Sequence, residues 1–282
     1  MRLGVSLAQA GRCADPASIR AAALAAEQVG FASVWVADEM PATSTDRTTP
    51  EGPPDEIVTT LDPLSVLTYA AAVTSRVRLG TSVLVAPWYR PALLARSLAS
   101  LDVLSDGRLT VGLGLGWTLD DYRAIGVPQH ELGRRLDDAL DTLGTAWRGR
   151  GPAQPPVLLA AYTPAGLDRV ARRADGWNPA GVPVDMLAPM WASVRDLAAA
   201  HGRDPDALEL VVRAHVHITD APIDGERPAY HGTVEQVAAD LADTRRAGAH
   251  EAILGLRGDP CLDQALGLYA RLAESFDVPA LA

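Results

Sequence analysis

The sequence predicts a closed (β/α)8 barrel, in which parallel strands alternate with the helices that cover them. Short runs rich in Val, Leu and Ile alternate with alanine-rich stretches of helical period along the whole of the 282 residues. Regular alternation of that kind implies a parallel sheet covered by helices. The strand–helix units number eight, which favours closure into a barrel over an open doubly wound sheet, and barrels commonly run to about 250 residues. No linker, repeat or low-complexity tract interrupts the series, so residues 1–282 read as a single domain.

Each element has its own local warrant. A strand over 3–8 (LGVSLA) is followed by a helix over 15–29 with apolar residues at helical spacing. The second strand, 32–37 (ASVWVA), leads into a long loop over 41–60 rich in Thr, Pro, Asp and Glu. The helix over 62–74 is capped by Asp62 and started by Pro63. The third strand is 77–84 (VRLGTSVL), followed by a helix over 91–105. A Ser-Asp-Gly turn then opens the fourth strand, 108–115, which precedes a helix over 131–147. The remaining units are a strand over 156–161 with a helix over 164–174, and a short strand over 176–180 with a helix over 184–201. After them come a strand over 208–217 with a helix over 233–247, and a strand over 251–256 with a final helix over 259–273.

The fourth strand and its sequel, LTVGLGLGWTLDDY (109–122), place glycines at alternate positions. Period-two alternation puts Gly112, Gly114 and Gly116 on one face and Val111, Leu113 and Leu115 on the other. In a barrel the apolar face packs against the helices. The glycines then face the axis and open the C-terminal mouth, where barrel enzymes place their chemistry. A broad, flat ligand has room against bare backbone there; the alternative is a strand crowded by neighbouring backbone. A dinucleotide-binding GxGxxG from Gly112 fails, because position 117 is Trp117.

Composition narrows the function. A formal charge of −10 argues against nucleic-acid or anionic-membrane partners. All 25 basic residues are arginine, so Schiff-base chemistry is excluded and a phosphate must be held by Arg, backbone amides or hydroxyls. Cys13 and Cys261 form no metal-like pair and read as unpaired thiols of a reducing cytosol. No apolar run reaches the roughly 18 residues of a membrane span, and the opening MRLGVSLA is strand-like, so a cytoplasmic location is expected. His215 and His217 share a strand face with Arg213, but no third ligand has matching spacing and HExxH is absent, so no metal is expected. His217, nearer the C-terminal end of its strand, is expected to line the pocket. Asp102, Asp106 and Arg108 flank a turn and read as structural.

With these segments in place, the sequence resembles the luciferase-like monooxygenase superfamily, whose barrels use flavin or coenzyme F420. The resemblance lies in GFASVWVADE (30–39), RVRLGTSVLVAP (76–87), RPALLARSLASLDVLSDGRLTVGLGLGW (90–117) and ARRADGWNP (171–179). The third piece is the most specific, and GTSVL with RADGW looks most like the F420-dependent branch. The resemblance implies a bacterial-luciferase-like TIM barrel and assigns roles by position. Asp38 and Glu39 fall beside the cofactor ring, Ser82–Val83 matches a non-prolyl cis peptide behind it, and Gly114, Gly116, Trp117 and Asp120 match the ring-lining end of strand four. Tyr162 and Thr163 match a backbone pair near the cofactor's side chain. Asn178 to Gly181, with Arg257, fall where the family holds phosphate.

Departures from the family pattern bear on substrate. Trp117 stands where the F420 sugar-phosphate dehydrogenases carry glutamate, Glu39 replaces a histidine, and Tyr162–Thr163 replace a glycine pair. Lysines that grip a sugar phosphate do not exist here, which argues against that substrate. The expected activity is F420-dependent hydride transfer to or from a small organic substrate. Glu39, Asp38, Asp120 and His217 are the candidate proton carriers. The alternatives are an FMN-dependent monooxygenase served by a separate reductase, or a non-catalytic flavin-binding protein. The family further implies a homodimer.

Overall fold

Residues 1–38, 60–116, 122–123, 125–148 and 154–256, with Gly267 and Arg271, are described by a computed structural model. Their strands are β1 (Arg2–Ser6), β2 (Ser33–Val36), β3 (Arg78–Thr81), β4 (Leu84–Val85), β5 (Leu109–Gly114), β6 (Val157–Leu159), β7 (Gly176–Trp177), β8 (Glu209–Ile218), β9 (His231–Gly232) and β10 (Glu251–Leu256). All the pairings between them are parallel. β10 pairs with both β1 and β8, which closes the ring. β4 prolongs the pairing of β3 with β5, and β9 adds to the end of β8, so the barrel proper has the eight strands expected.

The helices between them are α1 (Pro16–Val29), α2 (Pro63–Val73), α3 (Pro91–Leu104), α4 (Leu132–Trp147), α5 (Pro164–Arg173), α6 (Val184–Ala200) and α7 (Val234–Arg246). Their starts follow the sequence. Asp15 accepts from the amides of Ala17 and Ser18 at 2.9 and 3.0 Å, and Asp62 from that of Ser65 at 2.7 Å; in each case proline follows at the first helical position. Thr233 and Gln236 form a reciprocal capping box on α7. The Ser-Asp-Gly turn before β5 puts Asp106 at φ 56° and Gly107 at φ 74°. Arg108 then ties the end of α2 to the turn, donating to the carbonyls of Ala71, Thr74, Val77 and Ser105.

Two differences from the sequence reading concern strands. The third is broken into β3 and β4, and those expected over 156–161 and 176–180 are shorter, as Val157–Leu159 and Gly176–Trp177. The expected loop over 41–60, except Thr60, and the expected last helix, except Gly267 and Arg271, lie outside the described residues.

Alternation along the strands separates two cores. Val34, Val36, Leu79, Val111, Leu113, Leu159, Trp177, Leu210, Val212, Ala252 and Leu254 join the helices in the outer core. Trp35, Leu158, Val211 and Ile253 form a distinct cluster inside the barrel. The indole of Trp35 fits there because two neighbouring strands carry glycine: a Cβ on Gly80 would overlap its ring, and one on Gly4 would lie 2.7 Å from Nε1. Below it the fully buried Glu251 accepts from Ser33 Oγ, from Trp35 Nε1 at 3.0 Å and from Arg2 Nε at 3.2 Å. Arg2 also reaches Glu209 at 2.9 Å. The N-terminal end of the barrel is therefore closed, and the opposite end is left to hold a ligand.

Candidate active site at the C-terminal mouth

The break in the third strand builds the mouth. Leu79 and Gly80 pair with Leu109 and Thr110, whereas Leu84 and Val85 pair with Leu113 and Gly114, so residues 81–83 carry one residue more than the strand they face. An extra residue of this kind is a β-bulge. The Ser82–Val83 peptide within it is cis, as the family resemblance implies. Thr81 replaces the interrupted ladder with its side chain: Oγ1 accepts from Gly112 N and donates to Gly112 O, both at 2.9 Å.

Gly112 and Gly114 make room for this bulge, and Gly116 for Val85 and Tyr122 beyond it, so their face is not bare. A Cβ on Gly112 would overlap the Thr81 carbonyl oxygen. On Gly114 it would lie 2.7 Å from Val83 Cγ2, and on Gly116 it would lie 3.0 Å from both Val85 Cγ1 and Tyr122 Oη. The expectation that Gly114 and Gly116 offer open backbone to a cofactor ring is corrected accordingly. The second residue of the cis pair, Val83, covers Gly114 and is itself half-buried at the mouth.

Two charged side chains clamp the bulge from different strands. Just past β2, Asp38 donates its backbone N–H to the Val83 carbonyl at 2.9 Å. Its carboxylate accepts from Val85 N at 2.6 Å and from Tyr89 Oη at 2.7 Å. Burial pushes the Asp38 carboxyl up to about 6, the Tyr89 hydroxyl and Val85 amide pull it down, and Asp62 adds to the rise. Burial and the adjoining Asp38 also raise the Tyr89 phenol. Both oxygens of Asp38 thus take part in holding the scaffold. From β8, Arg213 shares the inward face of Val211 and donates to the Ser82 carbonyl. Ser82 N donates to Val36 O at 2.7 Å.

The other expected residues are placed as follows. Tyr162 follows β6 and is 52% exposed; its hydroxyl accepts from Ala180 N at 3.1 Å, joining two loops of the mouth. Thr163 caps α5 through its hydroxyl, which accepts from Gly166 N at 3.1 Å. Asn178 is buried just past β7, and Gly181 has φ 68° with open space beside it. His217 is exposed on the rim, its ring 5.3 Å from that of His231 on β9. Glu39, Trp117, Asp120 and Arg257 lie outside the described residues. Sequence reading missed the parts played by Arg213 and Tyr89. Arg213 left a signal, a cation in the otherwise apolar run LVVRA (210–214); Tyr89 left none.

The closed barrel thus carries a clamped bulge at its C-terminal mouth. The family model described as luciferase-like monooxygenase matches residues 1–226. The chain belongs to the luciferase-like monooxygenase family. An uncharacterised protein of Mycobacterium tuberculosis is 35% identical over 231 residues, 72% of this chain and 80% of that protein. The 4-hydroxyprotoasukamycin monooxygenase of Streptomyces nodosus subsp. asukaensis is 27% identical over 260 residues, 81% of this chain and 63% of that enzyme. Among solved structures, an F420-dependent secondary alcohol dehydrogenase in complex with an F420-acetone adduct superposes with a TM-score of 0.80 at 16% identity, over 97% of this chain and 98% of that one. A monooxygenase from Streptomyces bottropensis gives 0.77 at 22% identity, over 98% of this chain and 100% of that one. These two structural likenesses establish the shared fold. Membership of the luciferase-like family makes this chain one of a group of oxidoreductases.

Proposed function

We propose that this luciferase-like protein is an F420-dependent oxidoreductase acting on a small organic substrate in the barrel mouth. The observation that carries the reading is the polar layer above the Trp35 cluster. There a half-buried Arg213 reaches the Ser82 carbonyl and a half-buried Val83 covers Gly114, a floor suited to a flat ring with polar edges. When bound, the deazaflavin supplies hydride chemistry at a ring carbon. The chain's own residues do the rest. Asp38 and Arg213 hold the bulge, Trp35 closes the barrel below it, and Tyr162 with the Ala180 amide shapes the opposite rim. We assign proton delivery to Glu39, the carboxyl next to Asp38 in sequence.

A second reading is an FMN-dependent monooxygenase with a separate reductase. Two named relatives favour it: the enzyme from Streptomyces nodosus just described, and the limonene 1,2-monooxygenase of Rhodococcus erythropolis, 24% identical over 271 residues. Parallel fluorescence titrations of the purified chain with F420 and FMN separate the two readings.

Assembly as a homodimer is part of the same proposal. Leu93, Val103 and Leu104 are exposed on α3, and Leu93 and Leu104 line a cleft of about 790 Å³ with Tyr69 of α2. A second copy of this face would cover it.

A further inference from the structure

We propose that the mouth takes its ligand-binding form only when a second copy covers the cleft between α2 and α3, and that Tyr89 carries the coupling. The inference rests on the homodimer and cofactor readings above and adds that the two are linked.

Tyr89 takes part in both places. It lies two residues before α3, half-buried, and lines the cleft with Tyr69, Leu93 and Leu104. Its hydroxyl donates to Asp38 at 2.7 Å. Asp38 in turn holds the bulge at two points, accepting from the Val85 amide at 2.6 Å and donating its own amide to the Val83 carbonyl at 2.9 Å. One phenol therefore stands between the outer cleft and the floor of the mouth.

The cleft suits a second copy of this chain. Of the six large apolar side chains exposed among the described residues, four (Tyr69, Leu93, Val103 and Leu104) lie on α2 and α3. A concentration of that kind marks an association surface. Charge narrows the occupant. Asp62 and Arg96 line the same cleft, and among the described residues neither makes an ion pair. A two-fold axis sets one patch against its own copy, so an acid and a cation on one face complement themselves.

In a single copy the cleft side of Tyr89 meets water, and its bond to Asp38 lies close to a high-dielectric surface. Covering the cleft removes that water, fixes the ring and strengthens the bond. Asp38 passes the restraint to Val83 and Val85, and Val83 is the residue that covers Gly114 on the floor. Coupling of this kind is reciprocal: pairing tightens a ligand in each mouth, and the ligand tightens pairing by the same factor per mouth.

The test measures ligand binding and pairing together on the full chain, with F420 and FMN as ligands and sedimentation for pairing. The wild type is titrated above and below its dimer dissociation constant, and Leu104→Arg supplies a monomer. For whichever ligand binds, the dimer should bind at least about tenfold more tightly than the monomer, within the usual range of coupling between sites. Saturating ligand should strengthen the wild-type dimer by that factor for each of two mouths, at least about a hundredfold. Tyr89→Phe keeps the ring in the cleft and removes the hydroxyl. It should pair as the wild type does, yet its dimer should bind ligand within about threefold of its monomer. Equal affinity in wild-type monomer and dimer overturns the inference while both readings stand. Coupling undiminished in Tyr89→Phe overturns the role of Tyr89. A wild type that is monomeric throughout refutes the homodimer reading, and binding of neither ligand refutes the cofactor reading; either result takes this inference with it. Should Tyr89→Phe not fold, the wild-type dilution series decides alone.

Discussion

Gly114→Ala tests whether the glycines of β5 exist to admit the bulge. The added Cβ would stand 2.7 Å from Val83 Cγ2 and 3.5 Å from Ala160 Cβ. Carbon atoms pack best at about 3.5–4.0 Å, so Val83 must retreat by roughly 1 Å. Overpacking of this size costs about 1–3 kcal/mol, offset in part by the 0.5–1 kcal/mol or so that alanine gains over glycine in a regular element. Val83→Ala alone removes two methyls from a half-buried side chain and should cost about 1 kcal/mol. Together the two changes relieve each other, because the atom in the way is gone. Urea unfolding of the four proteins in a double-mutant cycle should give a favourable coupling of about 1–2 kcal/mol. Gly112→Ala is the control: its Cβ meets the Thr81 backbone carbonyl, so Val83→Ala should not rescue it. If Gly114→Ala and Val83→Ala simply add, Val83 does not occupy the space above Gly114, and that face is open to a ligand after all.

Asp38 should make stability depend on pH. Its carboxyl loses a proton near 3.8 when unfolded and near 6 when folded, so between those values the folded chain binds more protons. Stability from this group is therefore present below about 4 and lost as pH rises through 6, by about 2–3 kcal/mol at most. Denaturant midpoints at several pH values should show that slope in the wild type and not in Asp38→Asn. Glu39→Gln should keep cofactor affinity within about threefold and lower turnover by roughly 10²-fold, the usual scale of general acid catalysis; intact turnover would remove Glu39 from the reaction. Sedimentation should find a dimer that Leu104→Arg converts to monomer, and a monomeric wild type would refute the pairing of α2–α3 faces.

The barrel was legible because its signals are local and periodic. Asp15, Asp62 and Thr233 mark helix starts, and inward–outward alternation along β2, β5 and β8 separates the two cores. The site was legible only in part, because its contacts join residues far apart in the chain. The glycine run correctly marked a place of close approach, yet nothing in 109–116 tells whether a ligand or residues 81–85 make that approach. Asp38 was found as a mouth residue, but its role depends on Tyr89 and Val85, about fifty positions away. Arg213 was read only as sharing a strand face with His215 and His217; its target, the Ser82 carbonyl, is 131 residues distant and emerges only when the ring closes.

Direct titration of the purified chain with F420 and with FMN tests the central claim. A ring seated on the floor formed by Arg213 and Val83 should quench its fluorescence on binding, with F420 held in the micromolar range or tighter and at least about tenfold more strongly than FMN, a difference of about 1.4 kcal/mol. Tighter binding of FMN would contradict the F420 assignment in favour of the monooxygenase reading, and binding of neither would contradict a cofactor site at this mouth.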